Sequence, residues 1–416
     1  MKKIFVSLLL LALLLCACAR PTLPAEEVVP VQSVQEIPEP SPETVPLEPD
    51  HPALPPEPIQ PELPNNPRAN AVAELLSSMT LEEKVGQLFF ARCPAVNSVE
   101  KIGAYHLGGY LLFARDFQTS AGEWLTEEEF CAKIASYQAA STIPLLIGVD
   151  EEGGSVARAS RNPNLFAQKR KSPRTVYQNG GMEAILQDTF AYNSRLLTLG
   201  INVNFAPVAD LSTNPNDFIY DRTIGLDAAG TAAYIEAVVA QMNQCRVDGE
   251  TRTMGSVLKH FPGYGNNVDT HTGIAVDERG YDAFLNADFL PFLAGIRADA
   301  GAVLVSHNIV TCMDRTLPAS LSAEVLRILR QELHFGGVIL TDDLAMDAVE
   351  QYAADGQAAV LALQAGNSMI VTTDFEQQIG EVLAAVENGK LSTEIIDKAV
   401  RYVLNWKYDL GLLQGE

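Results

Sequence analysis

The chain has 416 residues, 47% of them hydrophobic and 19% charged, and its 52 acidic against 29 basic side chains give a formal net charge of −23. That balance argues against nucleic acid as a partner and against direct adsorption on anionic lipid, both of which call for clustered cations. The cysteines beyond residue 18, namely Cys93, Cys131, Cys245 and Cys312, are scattered without a Cys-x-x-Cys pair. A zinc knuckle or thioredoxin-type motif is therefore not expected, and no disulfide connectivity is predicted.

In chain order, Lys2 and Lys3 precede an apolar run from Ile4 to Leu15 that is too short to span a bilayer as a stable helix. The sequence Leu15-Cys16-Ala17-Cys18 resembles a bacterial lipoprotein signal, with a leucine at −3, a small residue at −1 and the modified cysteine at Cys18. The resemblance implies a signal peptide over residues 1–17 and a diacylated Cys18. The expected location is the extracellular face of the cell membrane, with the lipid as the only membrane contact. Residues 18–67 follow as an acidic linker: 15 of the 24 prolines lie between Arg20 and Pro67. Such a stretch cannot bury enough apolar surface to offset its ordering entropy, so a disordered, semi-extended spacer is expected.

Residues 68–416 alternate short apolar runs with longer amphipathic stretches, the pattern of repeated βα units. Eight strands are predicted: Val85–Arg92, Gly109–Phe113, Leu145–Asp150, Val203–Val208, Val257–Phe261, Ala302–His307, Val338–Asp342 and Met369–Thr373. Helices are predicted between them, including Met182–Leu199, Ala232–Gln244, Ala319–Glu332 and Asp347–Ala365, with Gly200, Gly336 and Gly366 as closing residues. The fold class that follows is α/β, as a single (β/α)8 barrel of the TIM type whose site lies at the C-terminal ends of the strands. A doubly wound open sheet competes, but no Gly-x-Gly-x-x-Gly follows the first strand.

Polar residues gather where the barrel rule places a site: Asp150, Asp210, Lys259, His260, His307 and Asp342 all end or follow predicted strands. Asp342 and Asp343 stop a fully apolar strand abruptly, which suits either a nucleophile or a helix cap, and the two residues can divide the roles. Asp150, Glu151 and Glu152, with Arg158 beyond two glycines, suit bidentate hydrogen bonding to sugar hydroxyls, while Glu151 reads as a solvated turn acid. Asp221-Arg222 and Lys259-His260 supply further charged donors that serve equally well as structural ion pairs. After Pro262-Gly263 the loop carries Asp269 and His271, a carboxylate beside an imidazole that can move a proton near neutral pH. His260, His271 and His307 lack His-Glu-x-x-His spacing, so no metal is expected.

Taken together, these motifs resemble glycoside hydrolase family 3, in its β-N-acetylglucosaminidase (β-N-acetylhexosaminidase) branch. The resemblance rests on Met79–Gln87, on Asp150-Glu-Glu-Gly-Gly-Ser-Val-Ala-Arg158, on Phe205-Ala-Pro-Val-Ala-Asp210 with Asp221-Arg222, on Lys259-His-Phe-Pro-Gly, and on Thr341-Asp-Asp-Leu-Ala-Met346. It implies a retaining displacement with Asp342 as nucleophile and His271, oriented by Asp269, as acid/base. It also implies that Asp150, Arg158, Arg222, Lys259 and His260 hold the sugar, and that no metal or organic cofactor is needed. The implied activity is exo-acting release of terminal GlcNAc from glycans derived from cell-wall peptidoglycan. A β-glucosidase or β-xylosidase of the same family, and a non-catalytic sugar-binding lipoprotein, are the alternatives. The chain leaves no room for the second domain from which the β-glucosidase branch takes its acid/base, which favours the first reading. Tyr264 and Ser155 depart from the usual histidine and arginine of the family, which implies altered loop packing or aglycone preference.

Overall fold

The computed structural model describes residues 66–413, apart from residues 266, 268–274, 347–348 and 350–356. The apolar runs form eight strands: β1 Phe89–Arg92, β2 Gly109–Leu112, β3 Leu146–Val149, β4 Val203–Asn204, β5 Gly255–Phe261, β6 Ala302–Val305, β7 Val338–Thr341 and β8 Ile370–Thr372. All neighbours pair in parallel in the order β7-β6-β5-β4-β3-β2-β1-β8, and a bridge between Leu340 and Met369 joins the last pair into a ring. A helix follows each strand, as parallel connections require. The α/β barrel expected from the sequence is thus the observed fold. Its strands face the lumen on one side and helices on the other, so they read as unbroken apolar runs rather than alternating ones. Leu146–Val149 and Val338–Thr341 are buried throughout.

The lumen shows how the strand ends become a site. Phe90 of β1 and Phe205, just after β4, meet edge-on with ring centroids 5.1 Å apart, a contact that strands three places apart make only through the interior. Gly148 of β3 lies against both rings; a Cβ there would sit 2.7 Å from Phe90 and 2.8 Å from Phe205. Side chains alternate along a strand, so Arg92 and Asp150, two residues beyond Phe90 and Gly148, point into the mouth.

Local signals explain where the elements depart from expectation. Residues 85–87 belong to the helix Leu81–Gln87, not to the first strand. Thr80 and Glu83 form a reciprocal capping box (Glu83 N–H to Thr80 Oγ1 3.3 Å, Thr80 N–H to Glu83 Oε2 2.8 Å) that starts a helix there. The first helix, Pro67–Ser78, is capped by Asn66, so Pro67 belongs to the barrel domain rather than to the linker. The fourth strand stops at Asn204 because Pro207 has no N–H for a ladder. The expected helix Ala319–Glu332 is interrupted at Ser322, whose hydroxyl caps a new helix at Ala323. That helix closes at His334 (φ 56°) instead of Gly336, whereas Gly200 (φ 84°) and Gly366 (φ 110°) do end theirs in the left-handed region. Of Asp347–Ala365, the helix Ala358–Ala365 is observed and most of the remainder lies outside the described residues. Cys93 and Cys245 are buried, Cys131 is half-buried and Cys312 is exposed; all four are unpaired.

At the opposite, N-terminal end of the strands, the last helix Thr393–Asp409 buries Lys407 completely. Its Nζ donates to Gln87 Oε1 at 2.6 Å, and burial pushes the amine down to about 7.

Candidate active site

The segment after β3 is held rigidly. Asn204 accepts the Glu151 N–H at 3.0 Å, and Arg170 donates to the Glu151 carbonyl while pairing with Asp188 at 2.8 Å. Gly153 (φ 101°) and Gly154 (φ 63°) turn the chain in a conformation other residues rarely adopt. Glu151 is fully buried, not solvated as its sequence position suggests. Its carboxylate accepts the N–H groups of Arg158, Ala159 and Ser160 (2.9, 2.8 and 3.2 Å) and the Ser160 hydroxyl. Burial raises its pKa in spite of these donors. Glu151 thus shapes the loop that delivers Arg158.

Glu152, which the sequence did not single out, is the hub of the site. One of its oxygens accepts Lys259 Nζ at 2.6 Å and Arg222 Nη2 at 2.7 Å, and the other accepts Arg222 Nε at 2.9 Å. Lys259 also pairs with Asp150 at 2.7 Å. Burial opposes the charge on Glu152, but Arg222 and Lys259 outweigh it and hold the carboxyl well below the usual range. Arg222 in turn donates to His260 Nε2 at 3.1 Å, and His260 Nδ1 donates to Asp210 at 2.7 Å. Both ring nitrogens of His260 are thus engaged, and its imidazole is held in a fixed orientation. Asp210 also accepts the N–H groups of His260 and Tyr264 at 3.0 and 2.8 Å. The Lys259–His260 peptide is cis, and both side chains enter the network.

Four of the expected sugar-binding residues, Asp150, Arg222, Lys259 and His260, are therefore joined, and Glu152 and Asp210 complete the set. The signal for Glu152 was present only as one of three consecutive acids. Arg158 stands beside this network without bonding to it. Asp221 is exposed and takes no part.

At the end of β7 the two aspartates divide their work. Asp343 accepts the N–H groups of Ala345 and Thr373 at 3.0 and 3.2 Å and the Thr373 hydroxyl at 3.0 Å, which fixes the turn. Asp342 is half-buried, its N–H bonded to the Val305 carbonyl at 3.1 Å, and its Oδ1 accepts the Asp343 N–H at 2.9 Å. His307 is locked between the Ser320 hydroxyl (2.7 Å) and the Asp343 carbonyl (3.1 Å). Asp269 and His271 lie outside the described residues, as does Cys18.

The chain on either side of residues 268–274 is clamped. Arg279 pairs with Asp277 at 2.8 Å and Asp288 at 2.9 Å, and Asn267 reaches Asp277 at 3.3 Å and the Tyr264 carbonyl at 2.8 Å. Burial lifts Asp288 to about 6 although Arg279 opposes it. Tyr264 is buried, edge-on to His260 at 5.6 Å and beside Phe218 at 5.7 Å, while Ser155 is exposed. Among the described residues no cluster of His, Cys, Asp or Glu is arranged to hold a metal ion.

A further arginine stands at the strand ends. Arg92 ends β1 with its guanidinium 4.3 Å from the centroid of Phe113, and Arg158 lies 5.9 Å from the same ring.

A parallel eight-stranded barrel with carboxylates and cations convergent at the C-terminal mouth defines a class of pocket suited to polyhydroxylated ligands. Comparison with known proteins narrows the class: residues 80–406 match the glycosyl hydrolase family 3 N terminal domain, and the chain belongs to that family. It is 32% identical over 287 residues to a beta-hexosaminidase of Nitrosomonas eutropha, covering 68% of this chain and 78% of that protein. It is 28% identical to beta-hexosaminidase A of Pseudoalteromonas piscicida, over 75% of this chain and 55% of that one. Its fold matches the structure of a glycoside hydrolase family 3 beta-N-acetylglucosaminidase from Paenibacillus sp. FPU-7, with 29% identity and a TM-score of 0.72 over 82% of this chain and 64% of that one. The chain thus spans little more than half to about three quarters of the length of these proteins.

Proposed function

We propose that the protein is an exo-acting, retaining β-N-acetylglucosaminidase that removes terminal GlcNAc from glycans derived from the cell wall. The observation that carries this reading is the Asp150–Lys259–Glu152–Arg222–His260–Asp210 network in the mouth of a family 3 barrel, with Asp342 at the end of the strand two places from Lys259. Asp150, Lys259 and Arg158 present acceptors and donors for ring hydroxyls, while Glu152 and Asp210 hold Arg222 and His260 in fixed orientations. Asp343 takes over the turn-fixing role, leaving Asp342 to attack the anomeric carbon. His271 with Asp269 protonates the leaving oxygen and then deprotonates water, so that two displacements retain the anomeric configuration. The names of the relatives support the GlcNAc specificity. The N-terminal sequence supports an exported enzyme anchored through Cys18, and that location supports a peptidoglycan source.

The test is an assay with paired aryl β-glycosides of GlcNAc and glucose. A preference for GlcNAc of about 10-fold or more in kcat/KM, on the order of 1.4 kcal/mol, is expected. Asp342→Asn should abolish turnover, and mass spectrometry of quenched wild-type protein should find a GlcNAc-bearing peptide that contains Asp342. A glucose preference would overturn the branch, and no turnover with retained sugar binding would establish a non-catalytic binder. Labelled fatty acid that enters the wild type but not Cys18→Ser would support the anchor.

A further inference from the structure

The N-terminal face of the barrel, opposite the sugar pocket, carries a cleft that the catalytic reading leaves unused. Its volume is about 110 Å³, and Leu75, Met79, Ile102 and Ile143 line it with apolar surface. Buried Gln87 forms part of its wall. That amide is already fixed: its Nε2 donates to the carbonyls of His106 at 2.8 Å and Leu107 at 3.3 Å, and its Oε1 accepts Lys407 at 2.6 Å. Three helices end at the cleft. Pro67–Ser78 brings Ser78, Ser98–Tyr105 brings Gly103 and its cap His106, and Glu127–Ala139 runs on into Ser141. The end of a helix leaves carbonyls without intrahelical partners and carries roughly half a negative charge. Glu83 adds a whole one: its Oε2 accepts the Thr80 N–H at 2.8 Å, and its Oε1 has no partner among the described residues.

We infer that this cleft is a second ligand site, which takes a small organic cation: a primary ammonium on an apolar body of about five carbons. Convergent helix C-termini and one carboxylate favour a positive head over a neutral or negative one. The apolar wall sets the body, since a cavity of about 150 Å³ lined by such side chains holds benzene and this one is smaller. Lys407 lies behind Gln87, and burial brings its amine down to about 7, so above that pH it sets no like charge against the ligand. Gly103 is the open position in the wall. A Cβ there would meet the Ala140 carbonyl oxygen at 3.5 Å, an ordinary contact, so a longer side chain grows into the cleft without strain. The site lies beside the N-terminal ends of β1, β2 and β3 and does not depend on the glycosidase reading.

The test is a ligand-observed NMR titration of the full chain at pH 8 with three probes of one shape: 3-methylbutylamine, 3-methylbutan-1-ol and 4-methylpentanoate. The amine should bind about 10-fold or more tighter than the alcohol and tighter still than the carboxylate. Glu83→Gln removes the charge while a glutamine keeps the reciprocal cap with Thr80, and it should cut the advantage of the amine over the alcohol to about two-fold or less. Gly103→Leu should abolish binding of the amine with no fall in the urea unfolding midpoint. If that midpoint does fall, Gly103→Ala, a smaller intrusion, should still weaken the amine by about three-fold or more. An amine that binds no better than the alcohol in the wild type would overturn the inference. So would amine binding that persists in folded Gly103→Leu, because it would then belong to the acidic surface in general.

Discussion

Glu152→Gln removes one charge and no volume, so it isolates what the hub contributes. In the wild type this carboxylate, with a side chain 1% exposed, faces Arg222 at 15% and Lys259 at 3%. Taking away one partner of a buried ion pair leaves the other charge uncompensated, at a typical cost of about 3–5 kcal/mol. Here the loss is tempered, because Lys259 keeps Asp150 at 2.7 Å and Arg222 reaches partial solvent. A destabilisation of about 2–3 kcal/mol at pH 7 is therefore expected by urea unfolding. The pH dependence supplies the sign. The folded-state pKa of Glu152 lies below its unfolded value of about 4.3, so its contribution is fully present above that value and fades as pH falls toward the folded one. The gap between wild type and variant should be flat from pH 8 to about 5.5 and narrow below about 4.5. A difference under about 0.5 kcal/mol at pH 7, or a gap that widens on acidification, would refute the hub argument.

Two further predictions concern other parts of the barrel. Gly153→Ala places a side chain at φ 101° and drives its Cβ into the Lys171 carbonyl oxygen, displacing the adjacent Glu152; a loss of at least about 2 kcal/mol in urea unfolding is expected, and an unchanged midpoint would contradict it. Lys407 has its folded pKa depressed to about 7 by burial, so the folded state holds fewer protons than the unfolded one between pH 7 and about 10, and stability should rise with pH across that window. Relative to Lys407→Met, the wild type should gain about 1.4 kcal/mol per pH unit there, and parallel curves for the two proteins would show that the amine is not buried neutral.

The sequence determined the barrel because its strands are covered on both faces, and that burial writes itself as apolar runs ending in polar residues at Asp150, Lys259 and Asp342. The capping box of Thr80 and Glu83 was equally local, yet the apolar residues that follow it read as strand, because an apolar run alone does not distinguish a buried helix end from a buried strand. Which acid would be the hub was a different kind of question. Asp150, Glu151 and Glu152 are adjacent in sequence and alike in chemistry, but one faces Lys259, one turns inward onto three backbone N–H groups, and one meets Arg222, 70 positions away. Asp210 and His260 meet across 50 positions and Gln87 and Lys407 across 320. Local propensity and motif order belong to the chain itself. The pairing of charges belongs to barrel closure, because electrostatic energy depends on distances that only the closed ring sets.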